Sequence, residues 1–265
     1  MNILILAAGM GTRLKPLTEY IPKALVPVSG IPLIQRIAQR LLFSNAEQRE
    51  VTLTVNVHHH ADQMENFISL LSKAWQTEIV ISSERNQLLN TGGAVKKALQ
   101  SLEKAGKAAF SEPLLVHNVD ILSNLNIEAF CNETVDAAAT LLVSQRKTKR
   151  YLVFNNNMEL VGWTNIDTKE VKSPFPEILA LTRKEEKAFE EKGLSLLAFS
   201  GIHLMNPVLF PEFQSWPEAF SIIDFYLASC KKYKIFGKVM PKTKILDVGK
   251  LDTLSTAEAF LSEIE

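Results

Sequence analysis

An α/β fold with one mixed central sheet and an antiparallel-rich second half is what this chain of 265 residues predicts. Three observations carry it. The first apolar run has no polar alternation. Strands and helices then alternate as far as Asp120. Beyond that point strands dominate, with fewer helices between them.

The run Ile3-Leu4-Ile5-Leu6-Ala7-Ala8 reads as a strand buried on both faces, as in a parallel sheet. A Gly-rich loop follows, and Pro16, Pro22 and Pro27 keep the chain irregular up to Gly30. Pro32 suits the first turn of a helix running to about Phe43. Val51 to Val57 is β-branched and apolar, a second strand. Ala61 to Leu71 sets Met64, Phe67, Ile68 and Leu71 at helical spacing. Glu78 to Ile81 is a short strand. Gly92 to Leu102 is a helix opened by a Thr-Gly-Gly turn, and Leu114 to His117 is a buried strand ending at Asn118-Val119-Asp120. This order implies right-handed crossovers and a doubly wound sheet, whose ligands bind at the carboxyl ends of the strands. The loop after Ala8 and the acid after His117 both lie at such ends.

In the second half, Ala137 to Val143, Tyr151 to Phe154, Leu160 to Trp163 and Leu196 to Leu204 read as strands, with Asn155-Asn156-Asn157 as a hairpin turn. Lys169 to Gly193, charged and holding Pro174 and Pro176, reads as a surface excursion with a short helix around Arg183 to Glu191. Ile222 to Ala228 is helical, Ile235 to Met240 a strand, and Thr253 to Ile264 a closing helix. No repeat or linker breaks the chain, so residues 1–265 form one domain.

Composition narrows the function. Lys plus Arg and Asp plus Glu each total 29, so the formal net charge is zero. A bulk electrostatic grip on nucleic acid or acidic membrane is excluded, although a local basic pocket is not. Cys131 and Cys230 lie far apart, outside any metal-ligand spacing, which reads as a cytoplasmic protein with incidental thiols. The run Ile3 to Ala8 is too short to span a membrane and lacks the basic start of a signal peptide. The aromatic stretch Phe210 to Trp216 covers the core or forms an interface, so a monomer or a small homo-oligomer is expected.

The loop Ala7-Ala8-Gly9-Met10-Gly11-Thr12-Arg13 has the make-up of a phosphate cradle. Small residues admit the ligand to the backbone, and successive N–H groups form an anion nest. Arg13 adds a forked donor, and Lys23 a compact charge. Neither standard glycine motif fits. The Walker spacing fails, and Leu14 stands where a dinucleotide fingerprint needs its third glycine.

The segment Leu6 to Val28 resembles the signature of sugar-1-phosphate nucleotidyltransferases, roughly L-A-A-G-x-G-T-R-L-x-P-L-T followed by P-K-x-L-x-P-V. Leu6, Ala7, Ala8, Gly9, Gly11, Thr12, Arg13, Leu14, Pro16, Leu17, Thr18, Pro22, Lys23, Leu25, Pro27 and Val28 match it. The resemblance implies a Rossmann-like nucleotidyltransferase domain, with residues 1–135 as the nucleotide-binding half and 136–265 as the sugar-binding half. It implies that the loop, Met10 included, binds nucleotide phosphates, and that Arg13 and Lys23 act on them during attack.

Leu89-Asn90-Thr91-Gly92-Gly93 opens a helix whose N–H groups suit a phosphate or a base carbonyl, or which is a plain capping turn. The resemblance favours contact with base and ribose through Asn90, Gly92 and Gly93, with Glu84 holding the loop. His58-His59-His60 cannot all bind one ion, since neighbours on a strand face opposite ways. In related uridylyltransferases an Asn-His pair follows this strand, which makes Asn56 and either His58 or His59 candidates for the sugar side. Asn118, and Ser200 and Gly201 in Phe199-Ser200-Gly201-Ile202-His203, join them; a second phosphate lysine is unplaced, with Lys172 a guess.

Asp120 closes an apolar strand, and Asp247 repeats the pattern in Ile245-Leu246-Asp247-Val248-Gly249. Such a pair suits Mg²⁺ held against phosphate oxygens. The family carries the same two aspartates, in N-x-D and W-x-D-x-G-T. This chain departs from it at Val119, Ile245 and Lys250, where glycine, tryptophan and threonine are usual. The implied reaction joins a nucleoside triphosphate to a sugar 1-phosphate and releases pyrophosphate.

The length leaves no room for the β-helix of longer relatives, and the nearest in build pair UTP with N-acetylmuramate 1-phosphate. Guanylyltransferases for mannose or heptose 1-phosphate and phosphocholine cytidylyltransferases are alternatives. So is a catalytically inactive regulatory protein that binds nucleotide sugars, against which Arg13, Lys23, Asp120 and Asp247 argue.

Overall fold

A computed structural model describes residues 1–43, 51–132 and 137–264. The boundary between the expected halves, at 135/136, lies outside the described residues. The first part of the chain runs β1 (Asn2–Leu6), β2 (Pro27–Val28), β3 (Ile31–Pro32), α1 (Leu33–Phe43), β4 (Thr52–Val57), α2 (Ala61–Trp75), β5 (Ile79–Ser83), α3 (Asn90–Lys104), β6 (Leu114–Asn118), β7 (Ile121–Ser123) and α4 (Ile127–Asn132). The rest runs β8 (Ala139–Ser144), β9 (Arg150–Phe154), β10 (Leu160–Asn165), β11 (Glu170–Lys172), α5 (Pro176–Leu179), α6 (Lys187–Glu190), β12 (Ser195–Met205), α7 (Ile222–Ser229), β13 (Ile235–Val239), β14 (Ile245–Asp247) and α8 (Leu251–Ile264).

β1 is the keel. It pairs in parallel with β4 on one side and β6 on the other, and β5 extends the sheet beyond β4. Because successive strand residues face opposite ways, β1 feeds two cores. Ile3 and Ile5 pack with Leu33, Ile37, Met64, Ile68 and Leu261 of α1, α2 and α8. Leu4 packs with Val95, Leu99, Phe225 and Tyr226 of α3 and α7. That is the doubly wound arrangement, with helices on both faces.

At β6 the sheet changes character. β12 lies antiparallel to β6, and β8 and β9 both pair with β12. β9, β10 and β11 form an antiparallel meander. Asn155 closes its first turn, where its Oδ1 accepts N–H bonds from Asn157 (3.0 Å) and Glu159 (2.9 Å). The α/β fold with a mixed sheet is therefore as expected. The surface reading of 169–193 needs correction. Val171, Ile178, Leu181 and Phe189 form a small core of their own against Val153 of β9. The aromatic stretch resolves as core, since Phe210 and Phe213 are buried and Phe213 stacks on Phe225 at 4.2 Å.

Among the described residues no helix is long and apolar enough to cross a membrane, and Cys131 and Cys230 form no disulfide.

Two histidines sit deep in the junction between β6 and β12. Burial pushes the His117 imidazole down to about 4, in part offset by its bond to the Asn118 carbonyl, and that of His203 down to about 3. Both are neutral in the folded protein, whereas unfolded histidine titrates near 6.5. The stability this confers is complete above pH 6.5 and is lost as pH falls towards 4 and 3, because the unfolded chain then binds more protons. Urea unfolding measured from pH 7 to pH 5 is expected to show stability falling with pH, at most by about 2.7 kcal/mol per unit for two protons. A flat profile would contradict this.

Candidate active site

Leu6, Asn56 and Asn118 stand level at the carboxyl ends of β1, β4 and β6. The chain leaving β1 is caught at once. Ala7 N–H donates to Asn56 Oδ1 at 2.6 Å, and Asn56 Nδ2 donates to Glu84 Oε1 at 2.7 Å. Glu84 Oε2 accepts the Leu89 N–H at 3.0 Å. One buried Asn–Glu pair thus ties the Gly-rich loop to the loop before α3. Gly11 then turns the chain with φ of +62°, and an added Cβ would lie 2.7 Å from Thr18 Cγ2 and 3.0 Å from Lys23 Cβ. Thr18 Oγ1 donates back to the Gly11 carbonyl at 2.8 Å. The fold-back aims Lys23 at Asp120, and its ammonium bonds Asp120 Oδ2 in a half-enclosed setting.

The second aspartate arrives by a different route. β14 pairs antiparallel with β7, setting Asp247 opposite Ile121, and Val248 N–H donates to the Asp120 carbonyl at 2.9 Å. Gly249 N–H donates to Asp247 Oδ1 at 2.8 Å. A Cβ built on Gly249 would meet Asp247 Oδ1 at 2.8 Å, Arg13 Nη2 at 2.9 Å and Asp120 Oδ2 at 3.1 Å. Two carboxylates and a guanidinium therefore converge on one point, and Lys23 bonds the same Asp120 oxygen that faces it. Beside them opens a cleft of about 510 Å³ lined by Ala8, Gly9, Lys23, Asn56, Asn90, Asn118, Asp120 and Ser221, among others.

The remaining candidates divide. Gly9, Met10, Thr12 and Arg13 are open to solvent or partly so, whereas Ala7 and Ala8 are buried under the loop. Asn90 is exposed at the lip of the cleft, with a left-handed φ of +57°. The free N–H groups expected of Gly92 and Gly93 are not free. Both point at the Phe220 carbonyl, at 2.9 and 3.4 Å, inside the first turn of α3. Both residues are small because segment 218–220 crosses there. A Cβ would sit 2.3 Å from the Phe220 ring at Gly92 and 2.0 Å from the Glu218 carbonyl oxygen at Gly93.

Asn56 lines the cleft, but its two polar ends are spent on Ala7 and Glu84. The three histidines part company. His58 donates to the Glu84 carbonyl and His59 to the Thr18 carbonyl, while His60 stands at the start of α2 with a left-handed φ of +50° and its side chain makes no capping bond. Gly201, at φ +75°, lets β12 approach Asn118, whose Nδ2 lies 2.7 Å from where a Cβ would be. Lys172 pairs with Asp224 at 3.2 Å and lies over the Trp163 ring. Ser221 was not among the candidates. Its signal was a serine ahead of an apolar run, and its hydroxyl caps α7.

Asp120 and Asp247 offer hard carboxylate oxygens, the donors Mg²⁺ takes. At nucleotide sites that ion commonly uses one or two carboxylates and completes its shell with substrate phosphates and water. The donor set fits. Among the described residues no group of three or more His, Cys, Asp or Glu gathers, so the arrangement is not a cage closed by protein ligands alone.

Residues 2–264 match the profile of the nucleotidyl transferase family. The N-acetylmuramate α-1-phosphate uridylyltransferase of Caulobacter vibrioides is 32% identical over 262 residues, covering 98% of this chain and 96% of that protein. The D-glycero-α-D-manno-heptose 1-phosphate guanylyltransferase of Campylobacter jejuni is 25% identical over 88% of each chain. Among solved structures, HddC from Yersinia pseudotuberculosis superposes with a TM-score of 0.68 at 19% identity, covering 98% of this chain and 99% of that one.

Asn56→Ala removes the acceptor of the Ala7 N–H and the donor to Glu84 Oε1, leaving both buried atoms without these partners while Glu84 Oε2 keeps the Leu89 N–H. Stability is expected to fall by about 3 kcal/mol, read by urea unfolding. A change below about 1 kcal/mol would show that the Asn–Glu tie does not hold the loops.

Proposed function

The chain belongs to the nucleotidyl transferase family, and we propose that it transfers a uridylyl group from UTP to N-acetylmuramate 1-phosphate, releasing pyrophosphate. Family membership supports the general reaction, from a nucleoside triphosphate to a sugar 1-phosphate. The convergence of Arg13, Asp120 and Asp247 round Gly249 is the observation that carries a catalytic reading over a binding-only one. The choice of base and sugar rests on near full-length likeness to the Caulobacter protein.

The attacking group, a sugar-phosphate oxygen, is already an anion, so no protein nucleophile or general base is required. The protein's tasks are alignment and charge neutralisation at the α-phosphorus. The level ends of β1, β4 and β6 give the triphosphate a rigid floor. Residues 8–12 receive its phosphates on backbone N–H groups. Arg13 steadies the departing pyrophosphate, and Lys23 faces the α-phosphate. Before substrate enters, the ammonium of Lys23 and the carboxylate of Asp120 neutralise one another, which lowers the cost of holding both in a half-enclosed cleft.

Family membership implies a divalent metal. Mg²⁺ is the ion we propose, held by Asp120 and Asp247, and when bound it supplies positive charge at the reacting phosphates. Asn118 and the backbone at Gly201 floor the sugar side, next to the phosphate site.

Two measurements test this. Pyrophosphate release is assayed for UTP, GTP, CTP, ATP and dTTP against N-acetylmuramate, N-acetylglucosamine, glucose, mannose and heptose 1-phosphates and phosphocholine, with Mg²⁺. UTP with N-acetylmuramate 1-phosphate is expected to dominate. GTP with heptose 1-phosphate would instead align the chain with its Campylobacter relative, and tight nucleotide-sugar binding without turnover would favour a regulatory protein. Asp120→Asn is expected to lower kcat about a hundredfold, or about 3 kcal/mol, in a protein that still unfolds in one cooperative thermal transition. Wild-type turnover at saturating Mg²⁺ would remove Asp120 from the mechanism.

A further inference from the structure

The connection between β8 and β9 carries Arg146, Lys147 and Lys149, and β9 opens with Arg150, all exposed. Only part of this charge is matched. Lys149 pairs with Asp167 at 2.5 Å, whereas Arg146, Lys147 and Arg150 have no carboxylate partner among the described residues. The sheet register sets where this charge sits. β9 pairs with β12 as far as Leu152 opposite Leu197, and β8 pairs with it through Val143 opposite Phe199 and Ser144 opposite Ala198, so the connection from β8 to β9 lies beside this part of β12. β6 pairs with β12 from Ile202 onward. Between the two lies the short stretch Phe199-Ser200-Gly201, whose glycine is in contact with Asn118, a wall of the cleft.

Arg146 is fixed at this gap. Its Nη2 donates to the Phe199 carbonyl at 3.1 Å, and among the described residues the rest of the guanidinium fork has no partner. One residue on, the Ser200 hydroxyl is buried and has no hydrogen-bond partner among the described residues. A fork-shaped cation anchored by one nitrogen, backed by further positive charge, is suited to a planar carboxylate.

We propose that Arg146 is a specificity determinant that recognises a carboxylate on the acceptor sugar, a second acidic group beyond the 1-phosphate. The proposal rests on the uridylyl-transfer reading and deepens it. It assigns to one residue the discrimination between a sugar carrying a lactyl ether and the same sugar without it.

The test compares kcat/KM for N-acetylmuramate 1-phosphate and N-acetylglucosamine 1-phosphate, both with UTP, in the wild type, Arg146→Gln and Arg146→Lys. The two acceptors differ only in the lactyl group and its carboxylate. The wild type is expected to prefer the acidic acceptor, and Arg146→Gln to reduce that preference at least about tenfold. Arg146→Lys, which keeps charge but loses the fork, is expected to fall between them. Thermal unfolding of each variant checks that the sheet is intact. Equal use of the two acceptors by the wild type overturns the inference and leaves uridylyl transfer standing. So does a preference that survives in Arg146→Gln. Absence of turnover with both acceptors and every triphosphate overturns the uridylyl-transfer reading and this inference with it.

Discussion

Three parallel strands that end at the same level are the constraint on which the molecule depends. Leu6 faces Asn56 on one side and Asn118 on the other. From that level edge one loop leaves after Leu6, another is tied down through Asn56 and Glu84, and the acidic turn starts after Asn118. A slip of one residue in either pairing would also turn the strand over and exchange its two cores. Ile3 and Ile5 would then face α3 and α7, and Leu4 would face α1 and α2. Packing on both faces therefore sets the geometry of the edge, and the edge sets the geometry of the cleft.

The electrostatics follow a similar economy. The chain as a whole is neutral, yet its charges are not evenly matched. Lys23 and Asp120 are paired where the phosphates are proposed to bind, and Asp247 is held by a backbone N–H beside Arg13. The segment 146–150, by contrast, keeps three cations, Arg146, Lys147 and Arg150, that no carboxylate among the described residues pairs, beside Lys149, which Asp167 does. Overall balance excludes a bulk attraction to polyanions and is compatible with strong local fields.

Much of this was legible in the residues. The unalternating run Ile3 to Leu6 could only be a central strand, and the spaced glycines with Arg13 and Lys23 pointed to the loop. What escaped detection did so for physical reasons. Ile121-Leu122-Ser123 and Ile245-Leu246-Asp247 are each too short to show a period, and they pair across most of the second half of the chain. Their ribbon brings the two aspartates together, and nothing local announces it. Gly92 and Gly93 read as part of a helix-opening turn with free N–H groups. That the protein's own segment 218–220 crosses them is a contact between distant parts of the chain, which no local pattern shows. Asn56 was singled out only through the Asn-His pair of related uridylyltransferases, as a candidate for the sugar side. That its partner would be the equally buried Glu84 depends on β4 and β5 being neighbours, which is a tertiary fact.

The β7–β14 ribbon also bears on how the protein is made. During synthesis the loop carrying Arg13 and Lys23 emerges first, and β1, β4, β5 and β6 can close behind it into a parallel core with helices on both faces. Asp247 emerges far later, after the whole antiparallel lobe. Contacts of such wide separation form late because the intervening chain must first be ordered. Until β14 lies down on β7, Lys23 and Asp120 face each other without the second carboxylate. A nascent chain would thus carry a folded phosphate loop but an incomplete charge constellation, and the last strand to join the structure is the one that completes it.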